Sequence, residues 1–190
     1  MDLGVTLTVE ESGAAVGTYH ITGKADNGNY KVTFAGEYSQ NNYGVYTVTA
    51  RPISVQIGNA SGIYGDTPDM SCGENKIELT DTTDDGNGIV ADENIYTVLT
   101  GLTLTTTADN TSDVGNGYTI SAKSGNNQYG NYQVTFTNGT YTVKQRPVTI
   151  TIADKSSAYG CALEELTWDD AYTDDGDKAG IVNEDNLASS

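Results

Sequence analysis

Basic residues are scarce in this chain: 9 Lys plus Arg stand against 26 Asp plus Glu, for a formal charge of -17 at pH 7. Binding to nucleic acid depends on Lys and Arg displacing counterions from phosphates, so DNA, RNA and anionic membranes make poor partners. The same charge keeps an exposed, abundant protein soluble. No run of about 18 apolar residues is present, so no membrane-spanning helix is expected. Histidine is reduced to His20, and any Ser-His-Asp or Cys-His arrangement would have to rest on it. It lies between Tyr19 and Ile21 in a strand-like run, where alternation turns it outward if those two face the core. No catalytic residue and no cofactor is expected.

Proline is also rare, with 3 residues, whereas Gly (22) and Tyr (13) are abundant among many Thr, Asn, Val and Ile. That mixture favours strands and tight turns over helices. Helix signals are confined to Ala91-Asp92-Glu93-Asn94 and Cys161-Ala162-Leu163-Glu164-Glu165-Leu166, too short for more than a turn or two.

The main signal is an internal repeat. Tyr46-Thr47-Val48, Arg51-Pro52, Ile57, Ser61 and Tyr64-Gly65 return as Tyr141-Thr142-Val143, Arg146-Pro147, Ile152, Ser156 and Tyr159-Gly160, each 95 residues on. A period of this kind marks one structural unit used more than once. Earlier blocks recur with small slips. Gly4-Val5-Thr6-Leu7-Thr8 matches Gly101-Leu102-Thr103-Leu104-Thr105, and Val16-Gly17 with Tyr19 and Ile21 matches Val114-Gly115 with Tyr118 and Ile120. Asn29 to Phe34 matches Asn131 to Phe136, and the extra residues around Tyr38 to Gly44 are read as a longer hairpin loop. Apolar residues alternate within each copy, as in Ile53, Val55, Ile57 and in Tyr132, Val134, Phe136, which predicts half-buried strands. Asn138-Gly139, between two such runs, predicts a two-residue type I′ hairpin.

The cysteines do not follow the repeat: Cys161 comes directly after Tyr159-Gly160, while Cys72 lies well beyond Tyr64-Gly65. A bridge would need their Cα atoms within about 7 Å, and none is expected between different copies.

Tyr64-Gly65-Asp66-Thr67-Pro68, then Ile89-Val90-Ala91-Asp92, the Val114-Gly115 block and Tyr132 to Val143 together resemble the MBG repeats of large bacterial surface proteins. Those repeats are similar to a glycine-rich module of mucus-binding adhesins with a β-grasp-related fold. The resemblance spans essentially the whole chain; it departs at Cys161, where the family usually has Asp, and at Asn116, which interrupts the common Val-Gly-Thr-Tyr. It implies tandem β-grasp-like repeats, mainly β, with at most one short helix each; an immunoglobulin-like β-sandwich fits the same strand pattern. It also implies an extracellular place on a bacterial cell surface, with both ends of this chain cut from a longer protein. Two phases are open: periods at 1–97 and 98–190, or a partial repeat 1–50, a complete one 51–145 and a partial one 146–190. The first is favoured because unpaired halves expose apolar strand faces.

Two candidate sites follow from the residues. Asp81, Asp85 and Asp92 lie in an acidic Gly-containing loop that weakly matches a calcium loop; Thr83 occupies a carboxylate position, and Asp92 stands where a bidentate Glu belongs. Tyr38, Tyr43 and Tyr129 lie in loop-like sequence and are candidates for stacking on a glycan. Tyr19, Tyr30, Tyr46, Tyr118, Tyr132 and Tyr141 recur beside core positions and are expected to pack in or along the sheets. Lys31, Lys123, Lys144 and Lys155 stand near strands, where an isopeptide bond to Asn would require a buried Lys. The expected function is a stalk or spacer of a cell-surface adhesin, with adjacent repeats as partners. The alternative is direct binding of host glycans or mucin.

Overall fold

The computed structural model describes residues 3–9, 15–36, 43–73, 76–84, 88–123, 125, 127–152, 154–165, 168–169 and 180–182. The loop expected from Tyr38 to Gly44 lies largely outside them. In chain order the elements are β1 (Val5–Val9), β2 (Gly17–Ala25), β3 (Gly44–Val48), β4 (Arg51–Ile57), β5 (Ala60–Ile63), β6 (Leu79–Asp81) and α1 (Ile95–Val98). There follow β7 (Leu104–Thr106), β8 (Gly115–Ala122), β9 (Gln128–Tyr129), β10 (Tyr132–Thr137), β11 (Gly139–Lys144), β12 (Thr151–Ile152) and β13 (Trp168–Asp169). The fold is therefore mainly β with several sheets and almost no helix. The only helix among the described residues starts one residue after the predicted nucleus, where the Asn94 side chain accepts from the Tyr96 amide and caps the first turn. Cys161–Glu165 is not helical.

The strands form sheets of order β1-β2-β3, β6-β4-β10-β9, β5-β11-β8-β7 and β12-β13. The chain gathers into two compact units. One comprises Met1–Val55, Asp81–Thr100 and Ser124–Thr135, and the other Gln56–Thr80, Gly101–Lys123 and Phe136–Ser190. The first buries Ile53, Val55, Leu99, Tyr132 and Val134. The second buries Ile57, Ile77, Leu79, Leu104, Ala108, Ile120, Tyr141 and Val143. The alternations read from sequence thus place Ile53, Val55, Ile57, Tyr132 and Val134 inside, with Phe136 half-buried.

The sequence repeat is a structural one, down to strand register. In the first copy Leu7 faces Gly23, Thr8 faces Thr22 and Val9 faces Ile21. In the second, Leu104 faces Ala122, Thr105 faces Ser121 and Thr106 faces Ile120. The next strand repeats the match: Ile21 opposite Gly44 and Tyr19 opposite Tyr46 correspond to Ile120 opposite Gly139 and Tyr118 opposite Tyr141. The residue that breaks the sequence pattern, Asn116, has its counterpart in a register shift of the β8–β11 pair between Tyr141 and Val143. An extra residue in one strand makes such a bulge. Gly4 (φ +58°) matches Gly101 (φ +87°), and Gly65 (φ +88°) matches Gly160 (φ +83°), so the repeated glycines supply left-handed backbone. At Gly65 and Gly160 the turn closes in the same way, by Asp66 N–H to Ile63 O and Cys161 N–H to Ala158 O.

Two expectations are corrected. Asn138-Gly139 is not a type I′ hairpin: β10 and β11 belong to different sheets, and neither residue has the positive φ such a turn needs. The chain changes sheet there, as it does at Gly58-Asn59 between β4 and β5. The crossings are tied together, since Asn59 Oδ1 accepts from the Thr140 amide at 2.8 Å and Gln56 Nε2 donates to Asn138 O at 3.1 Å. A Cβ on Gly139 would lie 2.2 Å from Gly58 O, so glycine is required for close approach of two backbones. The second correction concerns the first copy, where Tyr30 to Phe34 is not strand and Tyr30 and Tyr46 are exposed, unlike their buried counterparts Tyr132 and Tyr141. The run matching Tyr30 to Phe34 in the second copy is β10, which lies beside β4.

Candidate functional site

The hairpin that the sequence reading missed builds one wall of a concavity in the first compact unit. β9 and β10 pair antiparallel, with Tyr129 facing Tyr132, across a two-residue turn of Gly130 and Asn131. Gly130 has φ +55° and Asn131 is not in the left-handed region, the arrangement of a turn with Gly at its first central position. Asn131 anchors the hairpin: its carbonyl accepts from the Arg51 amide at 2.8 Å and its Oδ1 from the Val16 amide at 2.9 Å.

Against this hairpin, Asp92, Glu93 and Asn94 line a cleft of about 450 Å³, with Tyr129, Asn131 and Tyr132 on the other wall. The buried Tyr132 hydroxyl donates to Glu93 Oε2 and accepts from the Val90 amide at 3.0 Å. Burial and then the Glu93 carboxylate push the Tyr132 phenol above its ordinary range, and burial does the same to Tyr129. Asp92 holds φ +76°, a conformation that Asp tolerates better than most residues. The cleft thus offers two carboxylates, two amides and two aromatic rings, groups suited to neutral hydroxyl-bearing molecules.

Two of the sequence candidates, Asp92 and Tyr129, meet in this cleft. Tyr43 lies elsewhere, its ring 3.8 Å from that of the exposed His20. Tyr38 and Asp85 lie outside the described residues. Asp81 closes its own loop: Oδ1 accepts from the Thr83 hydroxyl at 2.6 Å and amide at 3.0 Å, and Oδ2 accepts from the Ile89 amide at 2.7 Å. Burial raises its pKa, but these bonds and the Arg51 charge outweigh that and leave it lowered. Among the described residues no group of three or more His, Cys, Asp or Glu is placed to hold a metal.

Cys72 is half-buried and Cys161 exposed, and both are free thiols. Lys31, Lys123, Lys144 and Lys155 are all exposed, which removes the burial an isopeptide bond requires. No helix among the described residues is long and apolar enough to cross a membrane. No known protein family, curated protein or solved structure matches the chain.

Proposed function

We propose that the chain is a non-catalytic run of tandem repeats that serves as a stalk or spacer in a bacterial cell-surface adhesin, with 51–145 as its complete unit. The observation that carries this reading is the shared strand register of β1-β2-β3 and β7-β8-β11. Repeat arrays gain reach by adding copies of one unit, each contacting its neighbours. The 51–145 phase is supported by the fact that every buried hydrophobic side chain among the described residues lies between Ile53 and Val143.

A β-grasp-like topology for that unit is favoured over an immunoglobulin-like sandwich by one pairing. β5, near its start, runs parallel to β11, its last strand. Immunoglobulin-like sheets are antiparallel.

Direct glycan binding is the second reading, favoured by the Tyr129–Glu93 cleft. A glycan array probed with the full chain separates the two. The spacer reading predicts no saturable signal. Saturable binding that disappears in Tyr129→Ala replaces it with the binding reading.

A further inference from the structure

Within the second compact unit, β5 and β11 run side by side in the same direction, with Ala60 opposite Tyr141, Ser61 opposite Thr142, Gly62 opposite Val143 and Ile63 opposite Lys144. The pairing continues past both ends of the strands. Ahead of β5, Gln56 Nε2 donates to Asn138 O at 3.1 Å, and Asn59 Oδ1 accepts from the Thr140 amide at 2.8 Å. Beyond β5, the Tyr64 amide donates to Lys144 O at 2.9 Å. There too, Arg146 Nη1 donates to Tyr64 O at 3.1 Å and to Asp66 Oδ1 at 2.9 Å.

Direction decides how such a pair meets tension. A chain held at both ends pulls β5 from its Gln56 side and β11 from its Arg146 side. In a parallel pair those sides are opposite ends of the ladder, so the strands are drawn past each other and the cross-strand bonds share the load. In an antiparallel pair they would be the same end, and the bonds would open one at a time. Parallel bonds are evenly spaced, which spreads the load further.

Two contacts oppose the sliding itself. Gly139 lies against Gly58 O and Ile57 O with no room for a Cβ, so β11 meets main chain there. The other edge of β11 is held by β8, from Gly139 opposite Ile120 to Val143 opposite Gly115, which keeps β11 from swinging away.

We infer that the β5–β11 pair is a tension clamp, which carries a pull along the chain as shear and makes the 51–145 unit resist extension. Resistance of this kind is set by the barrier to forced unfolding and not by equilibrium stability. The inference rests on the spacer reading above, because a spacer is held at both ends.

The test is single-molecule pulling of the full chain with Cys72 and Cys161 replaced by Ser. In one geometry the handles are attached to its first and last residues, which shears the pair. In the other they are attached at Thr67→Cys and Gln145→Cys, exposed positions that follow β5 and β11 and so open the same ladder from one end. The strongest rupture is expected to need at least about twofold more force in the first geometry, because several bonds must break together. Asn59→Ala is expected to lower the end-to-end force and to leave the peeling force unchanged, since the Thr140 bond lies far from the peeling end.

Equal forces in the two geometries overturn the clamp. End-to-end extension without a rupture peak, or an end-to-end force unmoved by Asn59→Ala, overturns it without any added cysteine. Equal forces together with a silent glycan array contradict the clamp alone, whereas saturable glycan binding with the force difference intact overturns the spacer reading and leaves the clamp standing.

Discussion

Arg146 and Asp66 form an ion pair of 2.9 Å, both mostly buried, and the same guanidinium nitrogen donates to the Tyr64 carbonyl at 3.1 Å. Arg146 matches Arg51 at the 95-residue period, and Asp66 follows the Tyr64-Gly65 step. Val182 packs over Gly65 so closely that a Cβ there would meet it at 2.3 Å. One turn of the second compact unit thus receives two residues from far along the chain. Arg146→Ala is expected to destabilise the second compact unit by about 1–3 kcal/mol, since it breaks a charged hydrogen-bond pair. A double-mutant cycle with Asp66→Asn in urea unfolding checks the coupling; additive effects would mean that the two residues do not interact.

Gly139→Ala forces a Cβ to within 2.2 Å of Gly58 O and 2.8 Å of Ile57 O, both main-chain atoms at the crossing between β4 and β5. Backbone cannot swing aside as a flexible side chain does, so the expected loss is at least about 2–3 kcal/mol. Gly117→Ala meets nothing within 4 Å and lacks a positive φ, so it is expected to change stability by less than about 1 kcal/mol. Thermal melts of the two variants give the comparison directly.

Asp81 is held ionised by hydrogen bonds and its folded pKa lies below the ordinary 3.8. A carboxylate lowered in the folded state adds stability that is present above its unfolded pKa and is lost as pH falls through the folded one. Acid unfolding below about pH 4 is therefore expected to be shallower in Asp81→Ala, which is less stable at neutral pH. An unchanged acid slope would contradict the assignment of that loop.

Tyr132 has a raised pKa, first from burial and then from Glu93. Its contribution is whole below the unfolded value of 10.0 and declines as pH rises from there through the folded value. Tyr132→Phe leaves the Glu93 carboxylate and the Val90 amide without this partner, at an expected cost of about 1–3 kcal/mol. It also removes this residue's share of alkaline destabilisation. Urea unfolding at pH 7 and pH 10.5 measures both effects.

Much of this architecture was legible because it recurs. Matching blocks aligned Leu7 with Leu104, Tyr19 with Tyr118 and Tyr46 with Tyr141, and those are the positions whose strand partners correspond. Even the tyrosine hydroxyls repeat, with Tyr19 donating to Ala15 O at 2.6 Å and Tyr118 to Asp113 O at 2.8 Å.

Asn138-Gly139 misled because Asn-Gly is also the cheapest pair where a chain must pass close to another backbone, and sequence alone does not separate that use from a hairpin. The real hairpin had a signal, Gly130-Asn131 between Tyr129 and Tyr132, but the short strand before it hid the alternation. The cleft was not legible, because the Glu93–Tyr132 bond joins residues far apart in sequence. Asp81 looked like a cation ligand because the same oxygens that bind a cation also cap backbone amides, and here they do the latter.

The most direct test of the repeat phase is amide hydrogen exchange read by mass spectrometry on dilute, monomeric full chain. The account predicts one block of slow exchange whose limits fall within 51–145, with residues 5–48 exchanging at least about tenfold faster, because Leu7 and Tyr46 are exposed where Leu104 and Tyr141 are buried. Protection extending evenly across residues 5–48, or two protected blocks that meet near residue 97, would contradict it.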